Sequence, residues 1–380
     1  MKFSLPELIE DPYSYYENWR ENKPIWKDET TGFWVLTRHD DVRSILKNSK
    51  DYSSKAMGQS NSESSPLPLL TDDAPRHSQL RGLVNKAFTV RMLREIEHQV
   101  EKIAIDLVDA IEPGEPTDIV TALTTPLPVA VISKMMGIPL DRGDDFKRWS
   151  DALTGTLAGA AMETRQQDIM EMGAYFAGLI PDRQANPGND LVSAVVNAEI
   201  DGEKLADADI VGFCILLLIA GNETTTNLLG NFLNILADRP DVLEQLVADP
   251  DLIDRGIEES LRFDGPVQFL MRMVTEPAEY HGVTVKPGDI VQVVMGSANR
   301  DVRAYENPNE FSLSRAKNHH HTFGFGVHFC IGAPLARLEA KIAMRCLLRK
   351  FKKVQRAEGV DERVPSHLLR GFHHLNLTFT

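Results

Sequence analysis

The sequence predicts a mainly α protein in which one long central helix is accompanied by a small β-sheet annex. No proline interrupts residues 207–237, and the middle of this run is apolar on every helical face, as in a core helix. Between Leu93 and Ile111, apolar residues recur at spacings of 3, 4, 3, 4 and 4, which is the pattern of an amphipathic helix. Short β-prone runs cluster late in the chain, between Phe269 and Met295.

The first half of the chain is predicted to contain a long loop followed by helices. Residues 53–68 hold six serines and two prolines with almost no apolar periodicity, which is typical of a loop. Asp73 ahead of Ala74-Pro75 predicts a helix N-cap with proline in the first turn, and therefore a helix from Arg76 to about Phe88. Further helices are predicted at 126–136, 141–157 and 163–184.

The second half is organised around the long helix, which would run about 45 Å at 1.5 Å per residue. Pro287-Gly288 suits a type II turn between two short strands. Because the central helix would contribute to every part of the core, we expect residues 1–380 to form a single domain. The remaining predicted elements are helices at 240–248, 250–263 and 334–351 and strands at 269–275, 278–280, 283–285, 290–295 and 375–380.

Composition and charge exclude several classes of protein. The 380 residues carry a net charge of −14, which argues against a nucleic-acid binder because such proteins need cationic contacts to phosphate. Three widely spaced cysteines cannot form a disulfide framework. The longest apolar stretch, 210–220, is shorter than the roughly 20 residues that span a bilayer. We therefore expect a cytoplasmic protein without a membrane anchor.

The segment with the clearest chemistry surrounds Cys330. This cysteine lies between glycine-rich turns and a helix that carries Pro334 in its first turn. A helix N-terminus offers free N–H groups and a positive dipole, which would lower the thiol pKa and favour a thiolate. A buried structural cysteine is the alternative, but it leaves Gly324, Gly326 and Gly332 unexplained, since glycines let a bulky group approach the backbone.

The run Phe323-Gly-x-Gly-x-His-x-Cys330-x-Gly332 resembles the haem-binding loop of the cytochrome P450 superfamily. The resemblance implies a cytochrome P450-like fold, haem b as cofactor and Cys330 as the axial thiolate ligand of the iron, with Phe323 and Gly332 beside it. Thiolate ligation donates electron density to iron and favours O–O cleavage. The implied activity is that of a haem-dependent monooxygenase, inserting one atom of O₂ into a hydrophobic organic substrate.

A second motif, Ala220-Gly-Asn-Glu-Thr-Thr225, resembles the oxygen-binding groove of the same family. Spacings of three and four residues predict that Ala220, Glu223 and Thr224 share a helix face. The threonine hydroxyl can bond to a carbonyl one turn earlier, and the carboxyl group can relay protons, so both residues are candidate catalytic groups. The alternative is that they mark only the polar limit of a core helix.

Other residues match the family in order and spacing. Glu259 and Arg262 form an E-x-x-R pair, which the resemblance assigns to a buried network supporting the cysteine loop; the third member of this network is not evident. His77 and Arg81, four residues apart on one predicted helix, match propionate-binding residues of the family. Arg272 and His328 match the family's other haem-carboxylate contacts.

By the same resemblance, the substrate pocket should be formed by residues 55–70, helices around 152–180, and five apolar side chains. These are mainly apolar, which favours a hydrophobic ligand such as a fatty acid, terpenoid, steroid or macrolide-like compound. The five side chains are Leu216, Ala220, Val267, Phe269 and Phe372.

The remaining length holds no flavin or iron–sulfur segment, so the resemblance implies external electron donors, a ferredoxin and its reductase. The basic run at 337–356 is predicted to dock an acidic partner, although a solvated helix face is the alternative. We expect a monomer. Two other functions remain open, a peroxide-driven haem-thiolate enzyme and a non-catalytic haem sensor or carrier.

Overall fold

Helices dominate the computed structural model of the chain, which describes residues 1–57, 67–88, 90–157, 165–200, 202–316 and 318–380. Short 3₁₀ turns occur at Ser54–Met57, Leu140–Arg142, Pro250–Leu252 and Gly326–His328, and a π-helix at Val120–Thr124. The helices are α1 Glu7–Glu10, α2 Tyr13–Asn22, α3 His39–Lys47, α4 Arg76–Ala87, α5 Val90–Asp109, α6 Pro126–Met136, α7 Gly143–Leu157, α8 Gln166–Ala185, α9 Leu191–Val196, α10 Asp207–Asp238, α11 Pro240–Ala248, α12 Ile253–Phe263, α13 Met295–Ala298 and α14 Ala333–Lys350.

The strands form one five-stranded sheet and several smaller pairings. The large sheet has the order β1-β2-β10-β7-β3, in which β10 runs parallel to β2 and antiparallel to β7. A three-stranded sheet has the order β11-β14-β4. The strands are β1 Ile25–Lys27, β2 Trp34–Leu36, β3 Tyr52–Ser53, β4 Pro116–Asp118, β5 Glu199–Ile200, β6 Glu203–Lys204, β7 Leu270–Val274, β8 Ala278–Tyr280, β9 Val283–Val285, β10 Ile290–Val293, β11 Val354–Arg356, β12 Glu362–Arg363, β13 Phe372–His374 and β14 Asn376–Phe379.

The long apolar helix α10 lies in the main hydrophobic core, as its sequence predicts. It has 32 residues and packs against helices on several sides, including α6, α8 and α12. Its length and apolar content would also suit a bilayer, but 61% of its most apolar stretch is buried inside the protein. A helix that is apolar all round is accommodated in this way when other helices surround it.

Most predicted helix boundaries agree with the structure to within three residues, but three predictions are wrong. Asp73 does not cap α4; its carboxylate accepts hydrogen bonds from the Ser53 hydroxyl and the Ser54 N–H instead. Met295 begins a helix and does not end a strand. Strand chemistry also starts far earlier than Phe269, because β1 and β2 complete the large sheet. Strands of three residues carry too little periodicity to be recognised without their pairing partners.

The turn predicted at Pro287-Gly288 is present. Gly288 has a φ of +89°, and the Asp289 N–H donates to the Lys286 carbonyl at 2.9 Å, as a type II turn requires. The two strands that it joins do not pair with each other, since β9 pairs with β8 and β10 lies between β2 and β7.

A buried ionic network on α12 fixes the chain segment that precedes the cysteine loop. Arg262 donates to both oxygens of Glu259, at 2.9 and 2.8 Å, and also to backbone carbonyls including that of Pro308 at 2.8 Å. Arg315 is the third member, because its Nε lies 3.0 Å from Glu259 Oε1. Both Glu259 and Arg262 are 1% exposed, so this network joins α12 to the irregular segment 299–316 inside the protein.

The same segment then positions the start of the loop. The Asn299 side chain accepts from the His321 N–H at 2.7 Å and donates to the Thr322 hydroxyl at 2.9 Å. The Thr322 hydroxyl in turn donates to the Leu261 carbonyl at 2.6 Å. Hydrogen bonds from α12 and from segment 299–316 therefore fix the position of residues 321 and 322, which lead into the cysteine loop at Phe323.

The network predicts a large loss of stability when its carboxylate is neutralised. Glu259→Gln leaves two arginines without a counter-charge, and breaking a buried pair in this way costs about 3–5 kcal/mol. We expect a corresponding decrease in the free energy of unfolding, measured by urea titration with circular dichroism. Glu244→Gln, on the exposed face of α11, is the matched control and should change it by less than about 0.5 kcal/mol. Equal stability of the two variants would contradict the structural role.

Candidate active site

One large, mostly apolar cavity lies beside the central helix α10 and the cysteine loop. It encloses about 1670 Å³ of space free of protein atoms, part of it open to solvent. Cys330 and Phe323 line it from the loop, Thr224 and Ala220 from α10, and Arg81 from α4. The structure thus brings together, around one cavity, residues from distant parts of the sequence.

The loop that carries Cys330 is folded tightly by hydrogen bonds and two left-handed glycines. The Cys330 N–H donates to the Phe323 carbonyl at 2.9 Å, and Gly324 and Gly326 have φ values of +72° and +75°. A Cβ added at Gly326 would lie 2.8 Å from the Leu46 carbonyl, so this glycine allows the loop to pack against α3. Gly332 lies against the thiol, since a Cβ there would be 3.8 Å from the Cys330 sulfur.

The thiol of Cys330 sits at the N-terminus of α14. Backbone N–H groups of Gly332 and Ala333 hydrogen-bond to its sulfur. Burial nevertheless raises the pKa of the Cys330 thiol, and these N–H groups, with Arg81 and Arg337, act in the opposite direction. The prediction of a lowered pKa is therefore wrong for the chain alone, because removing a thiolate from water outweighs the helix terminus.

In the second sequence motif, which lies on α10, both Ala220 and Thr224 line the cavity. The Thr224 hydroxyl donates to the Ala220 carbonyl at 2.7 Å, which is the bond to the preceding turn that its sequence predicts. Gly221 allows close helix packing, because a Cβ there would approach Ile132 of α6 to 3.0 Å. A small residue and a hydroxyl group therefore face the same space as the thiol.

Glu223 does not face the cavity, which corrects the prediction that it shares the face of Ala220 and Thr224. At 100° per residue it lies about 60° round the helix from Ala220 and about 100° from Thr224, on the side that packs against α7. Its carboxylate accepts from the Ser150 hydroxyl at 2.9 Å and lies 3.8 Å from Lys147 Nζ, both on α7. Burial raises the pKa of the Glu223 carboxyl, and the nearby Lys147 ammonium opposes this shift.

Lys147 and Ser150 are site residues that sequence reasoning missed. Lys147 also forms an ion pair with Asp151 and is 31% exposed, so it joins the buried carboxyl group to the protein surface. Both residues lie on a correctly predicted helix, but nothing local distinguishes them from other polar positions. Only the packing of α7 against α10 identifies them.

Two arginines and two histidines converge on one side of the cavity from three elements. His77 and Arg81 lie on α4, Arg272 on β7 and His328 on the cysteine loop. The His77 and His328 rings are tilted by 42° with their centroids 3.9 Å apart, and His328 Nε2 lies 3.0 Å from the Ser54 hydroxyl. Arg81 and His328 line the cavity, whereas His77 and Arg272 lie behind them in the same cluster.

This cluster has more positive charge than its surroundings compensate. Burial lowers the pKa of Arg272 to about 10, and Asp73 is the acid that opposes this shift. Burial also lowers the pKa of Arg81 and of both histidines. Among the described residues, His77 Nε2 is buried without a hydrogen-bond partner. Because buried cations and donors are costly without anions, the cluster fits a ligand with carboxylates.

The site therefore fits a haem group in three respects. A thiol faces an apolar space, a cationic cluster lies on one side of that space, and a small residue with a hydroxyl group lies on α10. Phe323 lines the cavity and stacks under the guanidinium of Arg337, whose carbon is 4.6 Å from the ring centroid. Cys330 would bind the iron of such a cofactor, the cationic cluster would bind its carboxylates, and Phe323 would lie against its flat ring.

The predicted substrate residues divide into two groups. Leu216, Ala220 and Val267 line the cavity, as predicted. Phe269 and Phe372 do not: Phe269 packs edge-on against Phe3, and Phe372 is 5% exposed in the main core. Leu270, next to Phe269, lines the cavity in its place, because adjacent side chains of an extended segment point in opposite directions. Residues 58–66 and 158–164, within the predicted substrate regions, lie outside the described residues.

The cavity wall also includes apolar residues that the sequence did not identify. Phe88 ends α4, Phe213 lies on α10, and Leu368 and Leu369 lie near the C-terminus. No local pattern distinguishes these side chains from core residues, since both are simply apolar.

The basic run on α14 is not an uncompensated patch. Arg337 pairs with Glu258 at 2.6 Å, Lys341 with Asp254 at 2.7 Å and Arg345 with Asp251 at 3.3 Å. The three acids lie on or next to α12, which packs against α14. Three cations of the run are therefore paired at the protein surface, and its docking of an acidic partner stays a prediction.

Comparisons with known proteins agree with this site. The family model described as Cytochrome P450 matches residues 159–372, more than half of the chain. Putative cytochrome P450 YjiB of Bacillus subtilis is 37% identical over 351 residues, covering 90% of this chain and 88% of that relative.

Solved structures show the same fold. CYP109E1 from Bacillus megaterium, in complex with testosterone, is 37% identical with a TM-score of 0.86, covering 97% of this chain and 99% of that one. A mutant of P450 EryK in complex with erythromycin B is 31% identical with a TM-score of 0.90, covering 97% and 96%. The cytochrome P450-like fold is thus confirmed, and with it the chain belongs to the cytochrome P450 family of haem-thiolate monooxygenases.

Proposed function

We propose that residues 1–380 work as a single domain that inserts one oxygen atom from O₂ into a hydrophobic organic substrate. The observation that carries the proposal is that the Cys330 thiol and the Thr224 hydroxyl line the same apolar cavity. A thiol there can ligate iron, a hydroxyl group can donate hydrogen bonds, and the apolar walls can hold substrate. The test is aerobic turnover with isotopically labelled O₂, which should place one labelled atom in the product.

The cofactor of the proposal is haem b. Cys330 would bind its iron, and His77, Arg81, Arg272 and His328 would receive its two carboxylates. When bound, the haem would supply the activation of O₂, and a thiolate ligand would donate electron density to the iron. The chain itself would present the Cys330 sulfur to the iron and neutralise the two haem carboxylates. Its apolar cavity walls would keep water away from the substrate.

Proton delivery is the proposed role of Thr224 and Glu223. The Thr224 hydroxyl faces the cavity, where its oxygen can accept a hydrogen bond while its proton bonds to the Ala220 carbonyl, or donate one after leaving that carbonyl. Glu223 is held on the side of α10 that faces α7, by Ser150 and Lys147, and burial raises the pKa of its carboxyl group. A carboxyl group with a raised pKa holds a proton closer to neutral pH, which suits a proton donor. Lys147 would exchange that proton with solvent.

Electrons are proposed to come from a ferredoxin and its reductase. P450 enzymes generally use redox partners, and this chain shows no second cofactor motif. Since three cations of α14 already pair with acids of this chain, we place the partner contact on the exposed side of the cysteine loop. Val327 and Phe329 are 51% and 39% exposed there, and Arg43 and Lys47 of α3 are exposed nearby.

The proposed substrates are fatty-acid, terpenoid, steroid or macrolide-like compounds. Leu216, Val267, Phe88 and Phe213 give the cavity its apolar walls, which favour such ligands. The complexes of similar structures with testosterone and erythromycin B support the steroid and macrolide classes. The acidic net charge, the unpaired cysteines and the buried central helix support a monomer in the cytoplasm.

A peroxide-driven enzyme of the same family is the competing activity. The cavity-facing hydroxyl of Thr224 and the buried carboxyl of Glu223 favour use of O₂, because a peroxide-driven reaction needs no protons delivered to O₂. Product formation with hydrogen peroxide alone, at the rate seen with reductase and ferredoxin, would favour the competing activity.

Cys330→Ser tests the axial ligand. Because a serine hydroxyl is a harder and weaker ligand than a thiolate, the reduced CO complex should lose its thiolate-type absorbance. Difference spectroscopy of the reduced protein measures this. Cys214→Ser and Cys346→Ser, at buried cysteines outside the cavity, are controls that should keep the absorbance. An unchanged spectrum in Cys330→Ser would remove the assignment.

Thr224→Ala tests proton delivery. The variant should retain haem, but its product yield per O₂ consumed should fall about tenfold, with the difference released as hydrogen peroxide, because general acid assistance is typically worth at least this much. The control is Thr226→Ala on the same helix, whose hydroxyl bonds to Asn222 and does not line the cavity. Tight coupling in Thr224→Ala would count against the role.

Arg272→Gln tests the cationic cluster. A hydrogen bond to a charged group is worth about 1.5–3 kcal/mol, so haem should dissociate about tenfold faster or more. The rate is measured by transfer of haem to excess apomyoglobin. Arg239→Gln, at an exposed ion pair, is the control and should leave the rate unchanged. Equal rates in the two variants would argue against carboxylate binding by this cluster.

A further inference from the structure

The part of the cavity formed by α10, α6 and the C-terminal segment carries no charge among the described residues. Leu216, Ala220 and Thr224 follow one another at four-residue spacing and present one row of α10 to the cavity. Ile132 of α6, Phe213 of α10 and Leu368 complete this region. The polar groups in it are neutral hydroxyls.

Arg81 and His328 are the described cavity-lining residues able to carry positive charge, and both belong to the cluster next to Cys330. The two longer stretches outside the described residues do not supply another cation. Residues 58–66 and 158–164 contain no lysine, arginine or histidine, and each contains one glutamate.

A carboxylate that leaves water for an apolar cavity without a counter-charge loses far more hydration energy than it regains. An ester of the same shape has no such penalty and gains the same apolar contacts. The two classes of ligand are therefore separated by charge alone in this cavity.

We propose that this cavity selects uncharged substrates and rejects the free carboxylates of otherwise matching compounds. The inference rests on the proposed function, because the carboxylates of the cofactor would occupy Arg81 and His328. It narrows the substrate to neutral polycyclic, macrocyclic or esterified compounds. Within the fatty-acid class named above, the esters therefore remain good ligands and the free acids become poor ones.

The experiment compares dodecanoic acid with methyl dodecanoate, using the haem-loaded enzyme and ligand concentrations below micelle formation. Binding is followed by titration calorimetry at pH 8 and, in parallel, by the haem absorbance change. We expect the dissociation constant of the acid to be at least about tenfold higher than that of the ester. A ratio below about three, including the case in which neither ligand binds, overturns the proposal.

A charge introduced into the α10 row should reverse the preference. Leu216 lines the cavity one turn before Ala220, so Leu216→Arg places a guanidinium in the otherwise neutral region. This variant should tighten binding of dodecanoate at least about tenfold and weaken binding of the ester. Leu216→Gln is the matched control, since it adds polarity without charge and should not recruit the acid.

The variant and the wild-type comparison answer separate questions. If Leu216→Arg does not fold, the wild-type ratio alone still decides the proposal. If Leu216→Gln binds the acid as tightly as Leu216→Arg does, charge is not the selecting property and the proposal is wrong. Failure of the proposed function is seen separately, as loss of the thiolate-type absorbance of the CO complex in the wild-type enzyme.

Discussion

The cationic cluster beside the cavity, in which Arg272 is buried and Arg81 half-buried, is the main electrostatic constraint on the site. Both arginines lose hydration within the fold, and Asp73, the acid that opposes this at Arg272, also accepts hydrogen bonds from Ser53 and Ser54. Such a cluster is stable at low cost only when an anion binds beside it. Under the proposed function, binding of the cofactor's carboxylates would therefore be linked to completion of the fold, and Cys330 would bind the iron of the same cofactor.

The central helix α10 separates the apolar cavity from the route by which protons would arrive. Its one face presents Leu216, Ala220 and Thr224 to the cavity, while Glu223 on another face meets Ser150 and Lys147 of α7. An apolar helix keeps water from crossing freely, so the cavity can remain dry next to a titratable group. In the proposed function, protons could therefore reach the oxidation site although the substrate cavity itself carries no acid among the described residues.

Several residues act differently from what their local sequence indicates, each because a distant segment supplies a partner. Asp73 binds Ser53 and Ser54, so it is unavailable to cap α4. Three cations of α14 pair with acids on or next to α12, and the exposed apolar residues of the cysteine loop are the proposed electron-entry surface. Arg315 joins Glu259 and Arg262 across 53 residues of chain from Arg262.

Local patterns were enough to predict the long core helix, most helix boundaries and the cysteine loop, because periodicity, glycine positions and short motifs can be read within one segment of the chain. It also determined that Thr224 bonds back to Ala220, since one helical turn fixes that contact. Three features could be read only from the folded chain. Glu223 faces α7, Arg315 completes the α12 network, and Leu270 rather than Phe269 lines the cavity. These outcomes depend on which side chains meet across the fold, and the distances between such residues are set by packing of the whole chain.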